Sequence, residues 1–165
     1  GMSALVQIEA KIHSWESAQA IVQHWQKQGE TVVFTNGCFD LLHYGHLHYL
    51  AQARDLGHRL VLGLNSAGSV CRLKGPHRPI NDELTRTWQM AALTFIDAVV
   101  VFEEDTPWEL LQVLQPDILV KGGDYAPETI VGADIVLARG GKVLTLPFIE
   151  GYSTTALEQK IKNSL

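Results

Sequence analysis

A chain of 165 residues, 46% hydrophobic and 19% charged, can bury one core, which excludes whole-chain disorder and leaves little room for separate cofactor and substrate domains. Its 18 acidic against 13 basic residues give a net charge of -5, the wrong sign for a duplex-binding protein but no obstacle to a small phosphate ligand. No apolar run approaches the roughly 18 residues that span a bilayer, no secretion signal is read, and Cys38 and Cys71 form no CxxC, so a cytoplasmic protein with two free thiols is expected, without nucleic-acid or membrane partners.

Gly1 ahead of Met2 reads as a residue left by tag removal. Ser14 is placed to cap a helix with Trp15, Ala18, Ile21, Val22 and Trp25 on one face, and Gly29 to end it. Thr31 to Thr35 is a β-branched and aromatic run, followed by Asn36-Gly37 and a helical pattern (Leu47, Leu50, Ala51, Arg54) that stops near Gly57. The alternation continues with a strand at Arg59 to Leu64, a short helix at Ser66 to Leu73, a longer one at Asn81 to Phe95 and a strand at Asp97 to Phe102. Thr106-Pro107-Trp108-Glu109 combines an N-cap, a proline at the first helical position and a glutamate three residues after the cap. Strands at Asp117 to Val120 and Lys142 to Leu146 follow, and Ser153-Thr154-Thr155 opens a terminal helix. All four tryptophans, at 15, 25, 88 and 108, fall in predicted helices and are expected in the core.

Strands apolar on both faces and alternating with helices predict a Rossmann-like, doubly wound α/β sheet of five parallel strands, in the order 3-2-1-4-5, with helices on both faces. Ligands of such sheets sit beyond the carboxyl ends of the strands, near the point where strand order reverses. Residues 36–46, 65–80, 121–125 and 150–155 should therefore converge.

The densest chemistry is Gly37-Cys38-Phe39-Asp40-Leu41-Leu42-His43-Tyr44-Gly45-His46. His43 and His46, three apart at a helix start, can present two imidazoles to one anionic ligand, with Gly45 clearing the space between them and Asp40 capping or orienting the turn. Zinc accepts residues such as Cys38, His43, His46 and His48, but His48 points to another face of the helix. Lys121-Gly122-Gly123-Asp124-Tyr125 offers a cation beside backbone amides free to turn toward a ligand, or simply a tight turn. Lys74, His77 and Arg78 form a basic loop suited to an anionic substrate, or a solvated one; Arg86 reads as a surface charge on a helix. Neither a Walker sequence, GxGxxG nor GxSxG is present, which removes the usual signals of P-loop kinases, dehydrogenases and α/β-hydrolases.

At TNGCFDLLHYGH the chain resembles the HxGH nucleotidyltransferases. Within them it is similar to the adenylyltransferases of D-glycero-β-D-manno-heptose 1-phosphate, which share NS...V..LKG..RP (Asn65 to Pro79), KGGDY (Lys121 to Tyr125) and STT (Ser153 to Thr155), over about Thr31 to Ile161. The resemblance implies a nucleotidyltransferase domain at 31–165 behind an N-terminal extension at 1–30 that carries one amphipathic helix. It implies transfer of AMP from ATP, with Mg²⁺, to the heptose phosphate, in a homodimer. His43, His46 and Lys74 would be catalytic. Thr35, Asn36, Gly37, Cys38, Phe39, Asp40, Gly45, Lys121, Gly122, Gly123, Asp124, Ser153, Thr154 and Thr155 would join the histidines around the nucleotide. Asn65, Lys74, Arg78 and Arg86 would meet the sugar phosphate, and no protein-held metal is implied. Ala67 and Tyr44 stand where that family often has Asp and Pro. A cytidylyltransferase of glycerol 3-phosphate or a related phospho-alcohol, and a nucleotide-binding regulatory module without turnover, are the alternatives.

Overall fold

The computed structural model describes residues 2–165, so Gly1 lies outside the described residues. Six strands form one parallel sheet: β1 (Ile12–His13), β2 (Val32–Gly37), β3 (Arg59–Asn65), β4 (Ala98–Phe102), β5 (Ile118–Gly122) and β6 (Lys142–Leu146). Their order is β1-β4-β3-β2-β5-β6. The five expected strands are therefore in the expected order, and the sheet gains a sixth at its edge. Two residues are too short a run to show a period, and Ile12–His13 becomes a strand only because β4 presents an unpaired edge to it.

Among the described residues, eight α-helices surround the sheet: α1 (Ala4–Glu9), α2 (Trp15–Lys27), α3 (Tyr44–Asp55), α4 (Ala67–Lys74), α5 (Glu83–Ala91), α6 (Trp108–Leu114), α7 (Ala133–Ala138) and α8 (Thr154–Asn163). The segment before residue 31 thus carries α1 and β1 as well as the expected α2, and Ala18, Val22 and Trp25 of α2 pack into the main core. Neighbouring residues of β2 face opposite ways: Val32 and Phe34 join a cluster with Leu110, Leu111 and Val136, whereas Val33 joins Leu50, Ala53, Met90 and Ile96. Helices on both faces explain why the strands read as continuous apolar runs rather than alternating ones. No helix among the described residues is long and apolar enough to cross a membrane.

Several local expectations are corrected. The long helix at 81–95 is shorter, because Asp82 caps it by accepting from the Thr85 N–H at 2.7 Å and it ends at Ala91. Thr106 is not the N-cap of α6: Pro107 takes that position without a side-chain cap, and the Thr106 hydroxyl accepts only a long 3.4 Å bond from the Trp108 N–H. Trp108 is 39% exposed rather than core. Trp15 and Trp88 are half-buried, and Trp25 is the one tryptophan that meets the expectation fully.

Candidate active site

All five strand pairings are parallel, so the segments after β2, β3, β5 and β6 leave one edge of the sheet. The order reverses between β2 and β5, and the cleft opens there. Beneath it, the Thr35 hydroxyl donates to the Val120 carbonyl at 3.0 Å and pairs with the Tyr49 hydroxyl at 2.7 Å. Burial pushes the Tyr49 phenol up to about 12, so it remains a neutral brace.

His43 is not in the first turn of α3 but its N-cap, with φ -142° and ψ 172°. Its Nδ1 accepts the His46 N–H at 3.3 Å, which leaves Nε2 to carry the proton of the neutral ring. This bond lays the two imidazoles in a stack, centroids 3.8 Å apart and planes 22° from parallel. Phe39, held at φ 44°, meets the His46 ring edge-on at 5.1 Å. A side chain at Gly37 would strike Phe39 at 2.6 Å, and one at Gly45 would meet the His43 ring at 3.0 Å and Tyr152 at 3.2 Å. Gly45 thus makes room for the histidine stack and Tyr152 themselves. Burial lowers the His43 pKa; burial and then the neighbouring His43 push His46 down to about 4. Both rings are neutral at pH 7.

The loop before the histidines is tied to residues 78–81 through Asp40, which is 3% exposed. Its carboxylate accepts from the N–H groups of Ile80 and Asn81, each at 2.7 Å, and from Arg78 Nε at 2.8 Å. Burial alone would raise its pKa, but these donors outweigh burial and hold it below the usual carboxylate range. Arg86 corrects two expectations at once. It is wholly buried, and Nη1 donates to the carbonyls of Cys38 and Asn65 at 3.0 and 2.7 Å while Nε donates to that of Asn81 at 3.1 Å. It is neither a surface charge nor a cleft-lining cation; it pins three loops from below.

The cleft has two connected halves that share Asn36, Gly37, Cys38, Phe39, His46, Val120, Lys121 and Thr154. The first, about 550 Å³, adds His43, Gly45, Gly122 and Ser153 and is walled by Tyr49, Tyr125, Phe148 and Tyr152. The second, about 660 Å³, adds Asp40, Asn65, Lys74, Arg78, Thr155 and Glu158. Burial pushes the Cys38 thiol up, against weaker opposite pulls from Lys74, Arg86 and Arg78.

The expected convergence of four segments is therefore seen. Outside the lining stand Thr35, beneath the floor; Gly123, buried under Phe148 at φ 109°; and the exposed Asp124 and His77. Phe148, Tyr152 and Glu158 were missed, because lone residues in an irregular segment or on a polar helix face carry no pattern. Tyr44 stacks edge-on against Tyr152 at 5.2 Å, and the Ala67 N–H donates to Glu83 at 2.8 Å. Among the described residues no group of three or more His, Cys, Asp or Glu could hold a metal ion.

A doubly wound sheet with a glycine loop, a capped histidine pair and a helix N-terminus at its switch point is the arrangement of a nucleotidyltransferase domain. The chain belongs to the cytidylyltransferase-like family, whose model matches residues 34–159. Among curated proteins, the bifunctional protein HldE of Syntrophotalea carbinolica is 54% identical over 156 residues, 94% of this chain and 32% of that protein. HldE of Magnetococcus marinus is 54% identical over 151 residues, 92% of this chain and 31% of that protein. The chain thus spans about a third of the length of these relatives. Among solved structures, a lipopolysaccharide core biosynthesis protein from Thermoplasma volcanium superposes with a TM-score of 0.58 at 27% identity, over 76% of this chain and 100% of that one. Pantoate-beta-alanine ligase from Francisella tularensis, complexed with beta-gamma ATP and beta-alanine, shares the fold at a TM-score of 0.60 and 14% identity, over 92% of this chain and 76% of that one.

Proposed function

We propose that this chain transfers AMP from ATP to D-glycero-β-D-manno-heptose 1-phosphate, giving ADP-heptose and pyrophosphate. The observation that carries the reading is the stacked His43–His46 pair set between an aromatic half of the cleft and a half lined by charged groups of both signs. The ordered motifs at Asn65 to Pro79, Lys121 to Tyr125 and Ser153 to Thr155 support the heptose as acceptor, and the structural relative named as a lipopolysaccharide core biosynthesis protein is consistent with a cell-surface sugar.

The aromatic half suits a purine, which Tyr125, Phe148 and Tyr152 can flank. The phosphates then extend past the histidines toward α8. There the Ser153 hydroxyl accepts the Ala156 N–H at 3.0 Å, and the first-turn N–H groups of Thr154 and Thr155 have no partner within the helix. Lys74 and Arg78 hold the acceptor's phosphate in the other half.

An acceptor phosphate oxygen attacks the α-phosphorus in line as the bond to the bridging oxygen breaks, and the electron pair leaves on pyrophosphate. The nucleophile is already an anion, so the protein's task is to align the reactants and neutralise charge. His43, protonated on Nε2, donates as charge grows on the phosphate oxygens. Mg²⁺ enters as part of the MgATP substrate, carried by the triphosphate. A cytoplasmic location and a homodimer accompany this reading.

The test is pyrophosphate release with Mg²⁺, offering ATP or CTP against the heptose 1-phosphate and glycerol 3-phosphate. Release with ATP and the heptose phosphate is expected; turnover only with CTP and glycerol 3-phosphate would replace the reading. ATP binding without turnover on either acceptor would favour a regulatory module.

A further inference from the structure

Arg78 lies between two carboxylates from distant parts of the chain. Its Nε donates to Asp40 at 2.8 Å, and its Nη1 to Glu158 at 2.5 Å. The partners differ in kind. Asp40 is 1% exposed at its side chain and bound to two backbone N–H groups, so it belongs to the scaffold. Glu158 is 32% exposed, sits one turn into α8 and lines the same half of the cleft as Arg78 and Lys74.

We propose that Glu158 is a resident counter-ion that occupies on Arg78 the position taken by the acceptor's phosphate, and that substrate binding exchanges one anion for the other. The inference rests on the assignment of Lys74 and Arg78 to that phosphate. Guanidinium pairs with carboxylate and with phosphate through the same planar fork, so the two anions compete for one set of donors. Nε is committed to Asp40, which leaves the η nitrogens facing the cleft as the exchangeable ones. An unpaired arginine at 19% exposure is costly, and Glu158 keeps it extended across the cleft before substrate arrives. Glu158 also ties the loop that bears Arg78 to the helix whose first turn is Ser153 to Thr155. Arrival of the acceptor therefore releases α8 from that loop while the arginine stays paired.

A residue that merely supports Arg78 and one that competes with substrate differ in the sign of their effect. Replacing Glu158 with glutamine keeps an oxygen that accepts from Arg78 and removes the charge opposing the incoming anion. The affinity for inorganic phosphate, measured by calorimetry on the whole chain without ATP, is expected to rise by about three- to tenfold in E158Q, and KM for the heptose phosphate to fall by a similar factor. The gain should vanish in the R78M/E158Q double variant and shrink as ionic strength rises. Unchanged or weaker phosphate binding in folded E158Q overturns the inference, whether or not the protein turns over. Absence of turnover by the wild-type chain with ATP and the heptose phosphate, with phosphate binding strengthened in E158Q, would overturn the assigned reaction and leave the exchange standing.

Discussion

The two halves of the cleft start from the same loop and end in opposite chemistry. One is lined by the aromatic rings of Tyr49, Tyr125, Phe148 and Tyr152; the other holds Lys74, Arg78, Asp40, Asp105 and Glu158. The aromatic half is assembled on glycines, because Gly122 and Gly123 leave space that Phe148 fills to within about 3 Å of where a side chain would begin. The charged half is assembled on ion pairs and backbone hydrogen bonds around Asp40 and Arg86. The contrast teaches a division of labour: stacking area selects a base without desolvating charge, and the phosphates are met where fixed donors are already organised.

The largest expected effect falls where the halves meet. His43→Ala and His46→Ala should each lower kcat by about 100- to 1,000-fold in a folded protein, since each removes an imidazole expected to donate a hydrogen bond to charge growing in the transition state. Normal turnover in either folded variant would return that histidine to a packing role. The charged half is broken selectively by Lys74→Ala, expected to raise KM for the sugar phosphate about tenfold and KM for ATP far less. Phe148→Ala should do the reverse, raising KM for ATP by about three- to tenfold, in line with the value of a stacked aromatic contact. If both variants changed both constants alike, the division of labour would fail.

The smallest effect is a pH dependence of stability. His46 has its folded pKa pushed down to about 4, against 6.5 as the ordinary value, so between these limits the unfolded chain binds more protons than the folded one. The stabilisation is complete above 6.5 and is lost as pH falls toward 4. Urea midpoints measured from pH 7 to pH 5 should therefore decline, and His46→Asn should flatten that slope.

Much of the fold was legible because both sheet faces are covered, which writes each central strand as an apolar run, and because Ser14 and Ser153 are caps whose hydroxyls accept from the third residue on. Thr106 misled for the opposite reason: its motif satisfies every local rule, yet Pro107 took the cap position. The glycine loop, the histidines, Lys74, Arg78, Lys121 and Ser153 to Thr155 were visible as clusters of reactive types. Arg86 was read by charge alone, and nothing local says that three carbonyls from separate loops will surround it.

By itself the sequence determined the alternation of strands and helices, the parallel sheet and the segments that meet at its edge. These depend on periodicity, caps and the handedness of parallel crossovers, all of which act over a few residues or one unit. The tertiary structure alone decided that His43 caps rather than joins its helix, that Ile12–His13 pairs with β4, that Phe148 and Tyr152 wall the cleft, and that Arg78 lies between Asp40 and Glu158. Apart from the His43 cap, a bond to His46 three residues on, each of these brings together groups far apart in the chain, and burial and exchange of hydrogen-bond partners settle them only once the sheet has assembled.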